Sequence, residues 1–138
     1  MPYDDEDPPY VEPDPKLDAL ARAVIGAAIE VHRQYGPGLD EPLYEAAMQA
    51  EMRLRGIPFQ CQVWIDVEYK GEQIGKRRID LIVGERLIVE LKAVEQLTPL
   101  HMMQVKTYLK LMRLTLGLLI NFNVILLKDG IKRVIHHP

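Results

Sequence analysis

The chain has 138 residues, 48% apolar and 27% charged, which suits a single globular core and leaves too little chain for a second full domain. Cys61 is the only cysteine, which excludes an internal disulfide and a cysteine-rich zinc module, and a reducing cytoplasm is the expected location. The formal charge of −3 conceals an acidic start: residues 1–16 carry six acids and one base, so the remainder is weakly basic, compatible with a nucleic-acid partner but too weak to identify one.

Residues 1–16, with Pro2, Pro8, Pro9, Pro13 and Pro15 among the acids, are expected to form a flexible tail ahead of a single domain over 17–138. Leu17, Leu20, Ala21, Val24, Ala28 and Val31 recur at helical spacing and predict a helix to Tyr35, stopped by Gly36-Pro37-Gly38. A second helix is predicted from Glu41-Pro42, where proline suits the first turn, through Leu43, Ala47, Ala50 and Leu54 to Gly56. Strands follow at 59–69 and 73–83 around a Lys70-Gly71 turn, then at 87–92. Thr98-Pro99 reads as the cap and first turn of a helix to Arg113. The chain should finish with a strand at 115–121 and a hairpin of 124–127 with 131–135, turning at Lys128-Asp129-Gly130. No run approaches membrane-spanning length, so a soluble protein is expected. The order ααβββαβ(ββ) predicts an α/β or α+β sandwich with helices covering a mixed sheet.

Two of these strands carry charge where apolar residues are expected. Arg78-Ile79-Asp80-Leu81-Ile82-Val83 and Leu87-Ile88-Val89-Glu90-Leu91-Lys92 place two carboxylates and an ammonium within buried runs. Buried charge is costly unless it is paired or holds a metal. If Val83 pairs with Leu87, then Asp80 lies opposite Glu90, Ile82 lies beside Ile88, and Leu81, Val89 and Leu91 occupy the other face. Glycine stands first in the connecting Gly84-Glu85-Arg86, whereas three-residue hairpin loops favour it last, so a bulge is expected to adjust the pairing. Converging carboxylates suit magnesium, which prefers oxygen ligands and often takes only one or two from the protein; the Leu91 backbone carbonyl could add a third oxygen. Such an ion stabilises phosphoryl charge and acidifies water, while Lys92 could orient that water or neutralise transition-state charge. An ion pair among Arg78, Asp80, Glu90 and Lys92 on a sheet face explains the same residues without catalysis, and spacing alone leaves both readings open.

Asp80 with Glu90-x-Lys92 resembles the core motif of the PD-(D/E)xK nuclease superfamily. Gly38-Leu39-Asp40-Glu41-Pro42-Leu43-Tyr44 is similar to the Gly-x-x-Glu-x-x-Tyr signature of its GxxExxY branch. Tyr69-Lys70-Gly71, Arg78-x-Asp80-Leu81, Val89-Glu90-Leu91-Lys92, Gln104 with Tyr108-Leu109, and Gly117-Leu118-Leu119-Ile120-Asn121-Phe122 follow in that branch's order, over residues 17–136. The resemblance implies a restriction-endonuclease-like fold and metal-dependent hydrolysis of nucleic acid, with DNA the first expectation. It implies Mg2+ as cofactor, Mn2+ as a substitute, and a site of Asp80, Glu90 and Lys92, supported by Glu41 from an early helix and by Gln104.

Each supporting residue also has a plainer reading. Glu41 precedes proline and should sit at the helix mouth, where capping is its simpler role and metal binding the functional one. Tyr44 reads as a core aromatic with a hydrogen-bonded hydroxyl. Gln104 shares a helix face with His101 and Tyr108, a polar stripe facing either a substrate channel or solvent. His32 reads as packed or superficial, and Trp64 as core or sheet face rather than a stacking platform. Lys70, Lys76, Arg77 and Arg78 gather around one hairpin, within reach of phosphates or of solvent. Two rival functions remain beside the nuclease: a noncatalytic module that binds nucleic acid or protein, and a homodimer scaffold built on the edge of the 124–135 hairpin.

Overall fold

In the computed structural model, which describes residues 14–138, helix α1 spans Pro15–Tyr35. It begins two residues before the apolar periodicity because Asp14 caps it: the Asp14 carboxylate accepts a hydrogen bond from the Leu17 amide at 3.0 Å, and Pro15 fills the first turn. Arg86 pairs with the same carboxylate, so residues 14–16, expected in the tail, are held against the fold. The rest of the expected tail lies outside the described residues. Helix α2 spans Glu41–Leu54.

Strands β1 (Phe59–Tyr69), β2 (Glu72–Val83) and β3 (Leu87–Lys92) precede helix α3 (Pro99–Met112), strand β4 (Leu116–Asn121) and strand β5 (Ile131–Ile135). They form one sheet in the order β1-β2-β3-β4-β5, with β3 and β4 parallel and the other neighbours antiparallel. Apart from Glu90, Lys92 and Asn121, the central β3 and β4 hold apolar residues and glycine at consecutive positions because both of their faces are covered. Leu81, Val83, Val89, Leu91, Leu118 and Ile120 pack beneath α1 and α2. Ile79, Ile82, Ile88, Leu119 and Val134 pack beneath Val105, Tyr108 and Leu109 of α3. The result is the expected α+β sandwich, a mixed sheet between helical layers. No described helix is long and apolar enough to cross a membrane.

The β2–β3 turn explains its leading glycine. Gly84 and Glu85 both adopt left-handed φ, 57° and 61°, and the Arg86 amide donates to the Val83 carbonyl at 3.1 Å. A tight turn with positive φ at both central residues takes glycine first without strain. The expected register survives it: Val83 pairs with Leu87, Ile82 with Ile88, and Leu81 with Val89.

The predicted hairpin over 124–135 does not form. Residues 124–126 run as a loop, Leu127–Gly130 makes one 3-10 turn, and β5 alone pairs back onto β4. His32 of α1, a packed histidine, supplies the reason: its Nε2 hydrogen-bonds the Val124 carbonyl at 2.7 Å and draws that segment over the helix. Short apolar runs look alike as strand or covered loop, and here tertiary contact decides. The edge expected to support a homodimer is therefore the five-residue β5 without its hairpin partner.

Close packing of α3 on the sheet depends on Gly117, because a Cβ there would lie 2.6 Å from Val105 Cγ1. Gly117→Ala should destabilise the protein by about 1–3 kcal/mol through overpacking. Urea unfolding would show this as a lower midpoint at unchanged slope; an unaltered midpoint would mean that α3 sits further from β4.

Candidate active site

The β2–β3 ladder stops at Leu81 and Val89, one step before the two carboxylates. Beyond that point the side chains replace backbone acceptors. The Asp80 amide donates to Glu90 Oε1 at 3.0 Å, and the Leu91 amide donates to Asp80 Oδ2 at 3.0 Å. Each strand thus donates an amide to the carboxylate of the other, and the pair wedges the strands apart while leaving neither N–H orphaned. From there β2 continues as a two-stranded ribbon with β1 alone.

The strands also turn over at this point. Strict alternation would put Ile79, Leu81 and Val83 on one face, yet Ile79 joins the core beneath α3 and the other two join the core beneath α1 and α2. In β1, Cys61 pairs with Leu81 and Val63 with Ile79, while Gln62 between them has φ 53° and no Cα partner. Asp80 is the residue at the reversal. The straight-strand expectation brought Asp80 and Glu90 together correctly but did not foresee this rotation.

Asp80 is 7% exposed and Glu90 5%. Burial, reinforced by the adjacent Asp80 charge, pushes the Glu90 carboxyl up to about 8, against the opposing pull of the Asp80 amide and Lys92. Glu41, in the first turn of α2, approaches from the α1–α2 side. Burial raises its pKa, the Asp80 charge adds to the rise, and Lys92, Arg78 and His101 oppose it. One helical turn on, Glu45 is raised by burial and restrained by its hydrogen bond from Gln62. Among the described residues, no three His, Cys, Asp or Glu side chains form a group that could hold an ion. Asp80 and Glu90 nevertheless retain one oxygen each beyond those given to the amides, a donor set that fits a hard divalent ion completing its shell with water and substrate.

From the opposite face, α3 brings Gln104 and Tyr108. The Tyr108 hydroxyl has its pKa raised by burial first and then by the Glu90 and Asp80 charges, with Arg77 and the neighbouring Gln104 opposing. The polar stripe therefore faces the carboxylates at Tyr108. His101 serves the helix end: the Thr98 amide donates to His101 Nδ1 at 3.0 Å and the His101 amide donates to Thr98 Oγ1 at 3.4 Å.

Two buried polar side chains fix the segments around the site. The Tyr44 hydroxyl donates to the Gly36 carbonyl at 2.5 Å and accepts from the Leu39 amide at 3.1 Å, and its ring stacks on Phe122 with centroids 4.5 Å apart. Tyr44 is thus the core aromatic its plainer reading described, and it sets the loop from which Glu41 emerges. Asn121 accepts from the Val94 amide at 3.0 Å and donates to the Val94 carbonyl at 2.9 Å, while the Phe122 amide donates to the Lys92 carbonyl at 2.9 Å. These bonds anchor the exit of β3 just beyond Lys92.

Sequence reasoning missed Glu45 and Gln62. Glu45 was findable, since it lies four residues after Glu41 on the same helical face. Gln62 owes its position to an irregularity in β1 that leaves no mark on composition. Trp64 is 62% exposed and pairs across the ribbon with Arg78, so it belongs to the sheet face and not to the core.

Among solved structures, the crystal structure of SSO0001 is similar, with a TM-score of 0.50 at 18% identity, and the alignment covers 89% of this chain and 58% of that one. That likeness is one of fold, and this chain spans little more than half the length of that structure. No curated protein matches the chain. The family model of the PD-(D/E)XK nuclease superfamily matches residues 18–134, which takes in every strand of the sheet but the last residue of β5. The mixed five-stranded sheet with its flanking helices is accordingly the restriction-endonuclease-like fold, and the chain belongs to the PD-(D/E)XK nuclease superfamily.

Proposed function

We propose that the protein is a metal-dependent phosphodiesterase of the GxxExxY branch that cleaves nucleic acid, with DNA as its substrate. The observation that carries this reading is the cross-bonded carboxylate pair, buried where two strands part and open to neither strand's ladder. Asp80 and Glu90 would hold the ion, with the Leu91 carbonyl as a further oxygen donor and Glu41, outside direct ligand range, acting through a bound water. When bound, Mg2+, or Mn2+ in its place, would offset charge on the phosphoryl oxygens and acidify a water.

The remaining side chains bind and orient. Lys92, half-buried one strand repeat beyond Glu90 and within electrostatic reach of Glu90 and Glu41, would offset the negative charge that grows as the phosphodiester is attacked. Arg78, within electrostatic reach of Glu41 and Glu45, would hold a flanking phosphate. Gln104 and Tyr108 would orient the substrate strand from the α3 side. The free, exposed Cys61 is in keeping with a reducing cytoplasm. One observation favours the noncatalytic module instead: no third acid converges with the pair closely enough to form a ligand group among the described residues.

Asp80→Ala and Lys92→Ala should each lower Mg2+-dependent cleavage by roughly 100-fold or more while retaining wild-type circular dichroism. Equal cleavage by wild type and both variants would assign the activity to a contaminant. Calorimetric Mg2+ binding should vanish in Asp80→Asn; nucleic-acid binding indifferent to both metal and this substitution would establish the module.

The raised Glu90 carboxyl also predicts a pH dependence. Glu90 titrates at about 8 in the folded chain against an ordinary 4.5, so between these values the folded state holds a proton that the unfolded state has lost. Stability of the metal-free protein should therefore fall as pH rises from about 5 to about 8. Thermal melts should show that decline in wild type and a flatter profile in Glu90→Gln. Added Mg2+ should restore the wild-type melting temperature at the alkaline end by binding the ionised carboxylates. Superimposable profiles for the two proteins would remove Glu90 as the source.

A further inference from the structure

A cleft of about 270 Å³ lies between the β1–β2 ribbon and α3, with walls that include Val67, Arg77, Gln104, Tyr108 and Leu111. We propose that this cleft receives one unpaired nucleotide of the substrate strand and thereby directs the protein to single-stranded nucleic acid. The inference rests on the nuclease reading and narrows its substrate.

The size and the chemistry of the walls both point this way. Small-ligand sites usually run to ~300–1,000 Å³, so this one has room for a single base with its sugar and little more. Val67 and Leu111 offer apolar surface to a base plane, the Gln104 amide can both donate to and accept from a base edge, and Arg77 supplies a cation for the adjoining phosphate. A duplex backbone could meet the exposed ribbon cations Lys70, Lys76, Arg77 and Arg78 from outside without using the cleft, whereas a paired base could enter the recess only after leaving its stack, so it is occupation of the cleft that selects an unpaired strand. Tyr108 joins the cleft to the site, because it lines the one and lies within electrostatic reach of both carboxylates of the other.

Gly75 keeps the recess open. It pairs with Val67 across the ribbon, so a side chain there would point into the cleft as Val67 does, yet an added Cβ would meet nothing within 4 Å. Gly75 is not among the glycines of positive φ, so a larger residue fills the space without backbone strain. Thr107, exposed on α3, lines the opposite wall and allows the same space to be filled from the helix side.

The test is fluorescence anisotropy with a labelled oligothymidylate, an oligouridylate of equal length and a fully paired DNA duplex, in Ca2+ so that an oxygen-seeking ion is present. Wild type should bind a single strand at least roughly tenfold more tightly than the duplex, and Gly75→Leu and Thr107→Trp should each weaken single-strand binding roughly tenfold, the scale of one lost base-stacking contact. The two single strands separate a deoxyribose from a ribose preference. Calorimetric Mg2+ binding should be unchanged in both variants, which shows the carboxylate site intact. Single-strand binding unaffected in whichever variant retains the wild-type melting temperature, or a preference for duplex, would overturn the proposal while leaving wild-type cleavage, and the nuclease reading, in place. A wild type that binds Mg2+ but none of the three nucleic acids would overturn both.

Discussion

The site is organised by one exchange of hydrogen bonds: the amide of Asp80 to the carboxylate of Glu90, and the amide of Leu91 to the carboxylate of Asp80. A continuing ladder would have satisfied these amides with carbonyls and kept β2 flush against β3. Carboxylates reach further than carbonyls, so the strands separate where the ladder ends at Leu81 and Val89. The separation lets β1 and β2 project as a ribbon and creates a recess that helices can flank from both sides. The arrangement has an electrostatic cost, since two buried carboxylates cannot both stay ionised without a counter-charge. Retention of a proton on Glu90 to about pH 8 answers that cost when no cation is bound.

The two cores keep this strained neighbourhood in register. Leu81, Val83, Val89 and Leu91 anchor one face and Ile79, Ile82 and Ile88 the other, so the reversal at Asp80 is clamped by apolar packing on both sides. Around it, polar side chains fix the loops instead of solvating them. Tyr44 closes the Gly36–Leu39 turn through its hydroxyl and touches Phe122 through its ring, which couples the start of α2 to the end of β4. Asn121, 2% exposed, uses both ends of its amide on Val94. A buried amide satisfied on both sides is worth more as a positional constraint than as net stability.

How far the sequence revealed this molecule depends on the range of the signal each part carries. Local signals worked: Thr98-Pro99 and Glu41-Pro42 marked helix starts, Lys70-Gly71 marked a turn, and the dense apolar runs around Glu90 and before Asn121 marked the central strands. The β2–β3 register was also legible, because a slip of one residue would have turned Ile82 and Ile88 to opposite faces and set Leu91, not Glu90, opposite Asp80. What failed required knowledge of distant partners. Residues 124–127 have strand composition but are bound by His32, which lies 92 residues away from Val124. The rotation at Asp80 and Gln62 is invisible to a period-two reading, which assumes a straight strand. For the same reason Gln62 could not be foreseen, whereas Asn121 stood in plain view as an amide closing an apolar run.

The balance of charge around the pair ties the ribbon to the proposed chemistry. Lys76 is drawn toward Asp66 at 3.9 Å, which leaves Arg77 and Arg78 as the ribbon's cations nearest the site. Their neighbours differ: Arg78 is felt by Glu41 and Glu45 of α2, and Arg77 by Tyr108 of α3. Adjacent positions on a strand point to opposite faces, so the recess is flanked by one guanidinium on each side. Against these and Lys92 stand Glu41, Glu45, Asp80 and Glu90, four carboxyls facing three cations. With all four ionised, a phosphodiester would meet a net negative surface and be repelled. Protonation of Glu90 removes that excess but takes away an oxygen donor, whereas a divalent cation reverses the sign and keeps both carboxylates as ligands. On the proposed reading, the acids that make the site inhospitable to substrate alone are what make it selective for metal and substrate together.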